Sequence, residues 1–169
     1  MSVNMQRLDN GSFICRDDPG EPSTGQPRVS VAPAEMQLLS WLAAGRDVLE
    51  IGTGLGVSTR ALLTARRLVT HDIDQWVHEF VWPSFADADV EFAADREAID
   101  GRFDMVFIDG DHMPAAVTAD IDFALTKLSA PGLMVLHDTR DAGVAGALSS
   151  RLQWQHVESV HGLGLAFFA

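Results

Sequence analysis

Apolar positions along the chain fall into short blocks with two different periods. Met36, Leu39, Leu42 and Ala43 share one helical face, with Pro33 suited to a first turn and Gly45 to a stop. DVLEIG (47–52) is a short apolar run and predicts strand one. VSTRALLTARR (57–67) has helical spacing and places Arg66 and Arg67 at the negative end of the helix dipole. RLVTHD (67–72) predicts strand two, and residues 75–86, with Trp76, Val77, Phe80 and Val81, predict a short helix ending near Pro83. DVEFAA (89–94) and FDMVFID (103–109) predict strands three and four. Val117, Ile121, Ala124, Leu125 and Leu128 mark a helix, APG (130–132) a turn, and LMVLHD (133–138) strand five. Val144, Leu148 and Leu152 mark a last helix. QHVESV (155–160) and LGLAFF (163–168), joined through His161-Gly162, predict an antiparallel pair.

Strands that alternate with helices predict an α/β fold with a doubly wound, Rossmann-like sheet. The sheet is mostly parallel and seven-stranded, with a C-terminal antiparallel hairpin. Strands one, four and five are nearly all apolar, as central parallel strands covered on both faces should be. Such sheets bind ligands beyond the carboxyl ends of their strands, which directs the search there. The 169 residues fit one domain, over 33–169. Residues 1–32 differ: GSFIC (11–15) fits a short strand, and DDPGEPSTGQP (17–27) is composed of turn formers. That segment reads either as a flexible tail or as a flap over a site.

VLEIGTGLG (48–56) carries the first chemistry. An apolar strand runs into Glu50 and then into Gly52, Gly54 and Gly56. Glycines there admit unusual φ and let a ligand approach the backbone, and the following helix start favours an anion. Ser58 adds a hydroxyl. The dinucleotide pattern G-x-G-x-x-G counted from Gly52 would need its third glycine at 57, which is Val57. The pattern is instead E-x-G-x-G-x-G, and a carboxylate before the loop suits a ligand with an ammonium group. S-adenosylmethionine, with its amino acid end and sulfonium, fits; a tight turn with no ligand is the bland alternative. Asp72, 22 residues after Glu50, is placed for a ribose diol, and Asp95 for an adenine amino group, although each is also a common kind of helix cap.

FIDGDH (107–112) and HD (137–138) carry the second chemistry. Acids and histidines at adjacent strand ends can bind a metal, move a proton or form polar turns. The ordered set VLEIGTGLGVS, THDID and AADRE resembles the class I S-adenosylmethionine-dependent methyltransferases over roughly residues 33–169. FDMVFIDGDH and LMVLHDT resemble the small-molecule O-methyltransferase branch of that family. The resemblance implies cofactor contacts at Glu50, Gly52, Thr53, Gly54, Ser58, Asp72, Ile73, Asp95, Arg96 and Asp109. It implies a divalent cation, magnesium or manganese, on Asp109, His137 and Asp138. It further implies His112 as proton acceptor and Asp109 as its catalytic companion, acting on a small hydroxylated acceptor. A histidine titrating near neutrality suits that role. His137 stands where several relatives carry an acid, and a nitrogen ligand favours manganese, iron or zinc over magnesium. A second base or a core histidine are its other readings. Asp111 reads as a turn or capping residue before a ligand.

The formal charge of −12 and the absence of a basic stripe argue against nucleic acid. Cys15 is the only cysteine, so no intrachain disulfide forms, which fits a reducing compartment. No run reaches the ~18–20 apolar residues of a membrane span, and no signal pattern opens the chain; a cytoplasmic protein is expected. Arg140 reads as a contact for an anionic substrate or as a partner of Asp141. His71, His78, His156 and His161 fall outside the cluster, with His78 on the surface. Trp41, Trp76, Trp82 and Trp154 suit the core or an interface, which fits a homodimer, with Trp76 also able to cover an adenine. The competing functions are a metal-independent methyltransferase relying on His112, a non-catalytic S-adenosylmethionine-binding module, and a nicotinamide reductase.

Overall fold

The computed structural model describes residues 4–7, 13–16 and 31–169. Two short strands, β1 (Asn4–Arg7) and β2 (Phe13–Arg16), form an antiparallel pair. The second overlaps the predicted GSFIC strand, whereas the loop at 17–27 and the flap reading of that segment lie outside the described residues. Then follow α1 (Pro33–Ala43), β3 (Asp47–Ile51), α2 (Val57–Leu62), β4 (Arg67–His71) and β5 (Glu91–Ala93). The second half holds β6 (Phe103–Ile108), α3 (Pro114–Lys127), β7 (Leu128–Leu136), α4 (Ala142–Arg151), β8 (Gln155–Val157) and β9 (Leu163–Phe168).

The main sheet has seven strands in the order β5-β4-β3-β6-β7-β9-β8. The first five run parallel, and β9 pairs antiparallel with both β7 and β8. Period-two alternation sorts the side chains to two faces. Val48, Met105, Phe107 and Val135 pack with Leu39, Leu42 and Leu62 of α1 and α2. Leu49, Val106, Ile108 and Met134 pack with Val117, Ile121 and Leu148 of α3 and α4. Phe103 and Phe107 are wholly buried, and truncating either to Ala would cost about 3–5 kcal/mol. The chain leaves β3 toward β4 and β5 on one side, then returns to β6 and β7 on the other. The strand order therefore reverses between β3 and β6, where doubly wound sheets open a ligand crevice. No helix among the described residues is long and apolar enough to cross a membrane.

Four expectations about local structure are corrected. α2 ends at Leu62, because β4 starts at Arg67 in register with Asp47 and the residues between must turn. Arg66 and Arg67 thus serve no helix end: Arg66 bridges Asp47 and Asp104, and Arg67 pairs with Glu91. APG does not interrupt β7, since Gly132 pairs with Phe168 and the irregularity is absorbed as a register shift against β6. Pro83 does not end its helix. A π-helical turn (Val77–Val81) passes into a 3-10 turn (Trp82–Phe85) that holds Pro83 in its first turn, where no N–H is needed. Finally, β8 stops at Val157, leaving Glu158 to Gly162 as a loop that reaches back toward α1.

Candidate active site

Three backbone hydrogen bonds carry the sheet one residue past its strands: Gly52 N–H to His71 C=O, Asp109 N–H to Ile51 C=O, and His137 N–H to Ile108 C=O. Gly52, Asp109 and His137 are thereby set side by side at the mouth of the crevice. Gly52 has φ +97°, and a Cβ there would lie 2.2 Å from the Asp109 carbonyl oxygen. Only glycine lets the loop after β3 lie this close to β6. Gly54, at φ +48°, has nothing within 4 Å of its Cβ position among the described residues.

Beneath that loop, Glu50 is fully buried. Its Oε2 accepts from the Thr59 and Thr70 hydroxyls, both at 2.6 Å, while Oε1 is buried with no hydrogen-bond partner among the described residues. Burial pushes its carboxyl up to about 7, and nearby Asp109 adds to this against the Ser58, Thr59 and Thr70 hydroxyls. A buried acceptor without a donor is costly unless a ligand supplies one. At the end of β4, Asp72 Oδ2 accepts from Gly54 N–H at 2.9 Å and Oδ1 from Asp74 N–H at 2.9 Å, which ties the acid to the glycine loop. Ile73 beside it is 82% exposed, an apolar side chain left bare at the crevice rim.

Some sequence candidates have other partners here. Thr53 turns its hydroxyl inward, 2.7 Å from that of Thr70, and receives Trp82 Nε1–H at 3.4 Å. Ser58 is buried against Glu50. Asp95 caps the 3-10 turn of Arg96–Ala98 by accepting from Glu97 N–H. Arg96 donates to Asp120 at 2.9 Å and lies over the Phe123 ring. His78 is half-buried rather than a surface residue: it stacks on Trp82 and its Nε2 bonds the Asp72 carbonyl oxygen at 2.7 Å. Arg140 pairs with Glu158, and Asp141 instead caps α4 through Gly143 and Val144 N–H.

The second cluster is compact. His137 Nδ1 lies 3.1 Å from Asp109 Oδ1 and 3.0 Å from Asp138 Oδ2. One ligand atom from each of these three residues falls within 4.8 Å of the others, a spacing a metal ion can use. His112 joins from the loop after β6, with Nε2 2.9 Å from Asp138 Oδ2 and half its side chain exposed. Asp138 has φ +57°, a left-handed backbone that costs a non-glycine residue about 1–2 kcal/mol and that aims its carboxylate between the two histidines. Burial alone would raise the Asp138 pKa, but His137, His112 and His161 hold it below the usual carboxylate range. Burial likewise opposes charge on His137, and Asp109 and Asp138 reverse this to push it up to about 11. Asp111 makes a local turn through Met113 N–H.

Glu35, which the sequence reading did not single out, and His161, which it placed outside the cluster, both enter the site. Glu35, 1% exposed in the first turn of α1, places Oε2 3.1 Å from His137 Nε2 and 3.1 Å from His161 Nδ1. It also accepts from the Ala32 and His161 N–H groups. Burial pushes Glu35 up, but Ser159, His161 and Ala32 outweigh it and hold the carboxyl well below the usual range. His161 is therefore not a bystander of the hairpin.

A doubly wound sheet with an acid-glycine loop, and a carboxylate–histidine cluster across its switch point, defines a Rossmann-like fold with its ligand crevice at that point. A family model described as a methyltransferase domain matches residues 49–139, and the chain belongs to that family. It is 35% identical over 136 residues to a catechol O-methyltransferase of Niastella koreensis, covering 68% of this chain and 59% of that protein. The chain thus spans less than two thirds of that relative's length. Among solved structures, cofactor-bound Rv0187 from MTB is 25% identical with a TM-score of 0.70, covering 84% of this chain and 83% of that one. The O-methyltransferase TomG from Streptomyces achromogenes, solved with S-adenosylmethionine, shares the fold at 23% identity and a TM-score of 0.69, over 86% and 84% of the two chains.

Proposed function

We propose that this chain transfers the methyl group of S-adenosylmethionine to a hydroxyl of a small molecule. The observation that carries the reading is the meeting of two half-sites. The Glu50–Gly54 loop and the Asp109–His137–Asp138 cluster face one crevice, with Asp109 touching both. The residues fit the cofactor. Glu50 Oε1 is a buried acceptor in want of a donor, which an ammonium group provides. Gly54 leaves room for a ligand, Asp72 offers lone pairs to a ribose diol, and Ile73 presents an apolar surface to an adenine. Asp95 and Arg96 would contribute from the rim after β5. An acidic chain suits a small acceptor better than a polyanion, and the lone Cys15 suits the cytoplasm.

Asp109, His137 and Asp138 fit a divalent cation, magnesium or manganese, which would supply Lewis acidity and lower the proton affinity of an acceptor hydroxyl. S-adenosylmethionine, when bound, would supply the methyl carbon: its carbon–sulfur bond would break as the acceptor oxygen takes the methyl group. The hydroxyl proton goes to His112. Asp138 accepts Nε2–H of His112, which leaves Nδ1 to receive it. The crevice walls position the two reactants, worth about 7–11 kcal/mol in the best model cases. A metal-independent route is favoured by one observation: His137 Nδ1 already sits at hydrogen-bond distance from both acids. Calorimetry with S-adenosylhomocysteine against NAD, and turnover of a vicinal aromatic diol with and without EDTA, test the proposal. Binding of NAD with no S-adenosylhomocysteine heat would sink it.

A further inference from the structure

We propose that Glu35 is a positioning residue for the strand-end cluster: it holds His137 by Nε2 and so keeps Nδ1 turned toward Asp109 and Asp138. The inference rests on reading those three residues as a cation ligand set. A histidine ring offers two nitrogens, and the one that binds an ion is selected by what the other one bonds. Here Nε2 meets Glu35 Oε2 at 3.1 Å, and both side chains are wholly buried. A buried carboxylate accepts but cannot donate, so Nε2–H donates to Glu35, and that contact fixes which way the ring is turned. Nδ1 is then the nitrogen facing Asp109 and Asp138, at 3.1 and 3.0 Å.

A buried anion at this position needs a reason to stay put, and the fold supplies several donors. Ala32 N–H reaches Oε2 at 2.8 Å, and His161 N–H reaches Oε1 at 3.0 Å. His161 Nδ1 lies 3.1 Å from Oε2, and the nearby Ser159 side chain also favours the ionised carboxylate. Glu35 therefore joins three separate pieces of chain: the start of α1, the end of β7 and the loop before β9. Helix capping alone uses only the Ala32 contact. The remaining donors serve to fix the carboxylate against His137. Removing such an outer carboxylate from a metal-bound histidine typically weakens the ion by about ten- to hundredfold.

The test uses the full chain and manganese alone, with free Mn(II) read by electron paramagnetic resonance. Wild type should bind manganese, and Glu35→Gln should bind it about ten- to hundredfold more weakly. Affinity for S-adenosylhomocysteine, measured calorimetrically, should be unchanged in that variant, which a general loss of folding would not allow. In metal-free wild type, nitrogen-15 NMR of the histidine rings should show a slowly exchanging proton on His137 Nε2. An unprotonated Nε2 overturns the inference without any variant. Equal manganese affinity in wild type and Glu35→Gln overturns it while leaving the cation reading in place. Manganese binding that survives Asp138→Ala but not His161→Ala puts the ion between Glu35, His137 and His161 instead, and also overturns it. No manganese binding in wild type removes the cation reading and this inference together.

Discussion

Replacing Glu50 with Gln probes the cofactor pocket through pH. The wild-type carboxyl is fully buried, and burial raises it from the ordinary 4.5 to about 7. Unfolded, it titrates at its ordinary value, so the folded protein holds this proton more tightly than the unfolded chain. The stabilising contribution is then complete below 4.5 and is lost as pH rises through about 7. At about 1.4 kcal/mol for each factor of ten in proton affinity, the loss is about 3 kcal/mol. Glutamine does not titrate. Its unpaired amide adds a cost, but one that is constant with pH. Urea denaturation of both proteins from about pH 4 to about pH 8.5 should show wild type losing about 3 kcal/mol relative to Glu50→Gln, since the other titrating groups are common to both. Saturating S-adenosylhomocysteine should shrink that loss, because its ammonium favours the ionised carboxylate. Parallel stability profiles for the two proteins would refute the argument.

Chelation by EDTA and the substitution Asp138→Ala should each lower turnover by about a hundredfold or more if the cation polarises the acceptor, and full activity in EDTA would remove it from the scheme. His112→Gln should slow methyl transfer by about 10²–10⁴-fold with S-adenosylhomocysteine affinity intact; a near-normal kcat would exclude His112 as the base. Gly52→Ala and Gly54→Ala should part company in denaturant unfolding. The first drives a Cβ to 2.2 Å from the Asp109 carbonyl and should cost several kcal/mol, whereas the second meets nothing among the described residues and should cost about 1–2 kcal/mol of backbone strain. Equal losses would contradict the close approach of the two loops.

The fold was readable where one local rule governed the pattern. β3, β6 and the Leu133–Leu136 half of β7 are buried on both faces, so their apolar runs stand out whatever they pair with. The alternation of strands and helices then leaves few topologies open. Boundaries were readable only where no long-range contact moved them. α2 stops short because Asp47 and Arg67 must pair across β3 and β4, a constraint absent from the local sequence of 57–67. β7 runs through APG because β9 and β6 offer partners to Gly132 and Leu128, which override a turn-forming tripeptide. In both cases tertiary pairing outweighs propensities worth a few tenths of a kcal/mol per residue.

The candidate site divides along the same line. Asp109, His112, His137 and Asp138 lie within four residues of a strand end or on it, so the doubly wound rule gathers them from sequence alone, and the geometry does bring them within hydrogen-bond reach. Glu35 and His161 obey no such rule. Glu35 had one local signal, an acid at the third position of a helix that begins with Pro33, and that signal speaks of capping. His161 had none, since a histidine before a glycine in a hairpin loop is usually solvated. They meet His137 because α1 docks its first turn beside the carboxyl end of β7, and because β8 ends early enough for residues 158–162 to fold inward. The contacts span 102 and 126 positions of sequence, beyond what periodicity or spacing can encode. Catalytic groups that touch the ligand sit at strand ends and are legible. Groups that orient them arrive from wherever packing permits, and must be found in three dimensions.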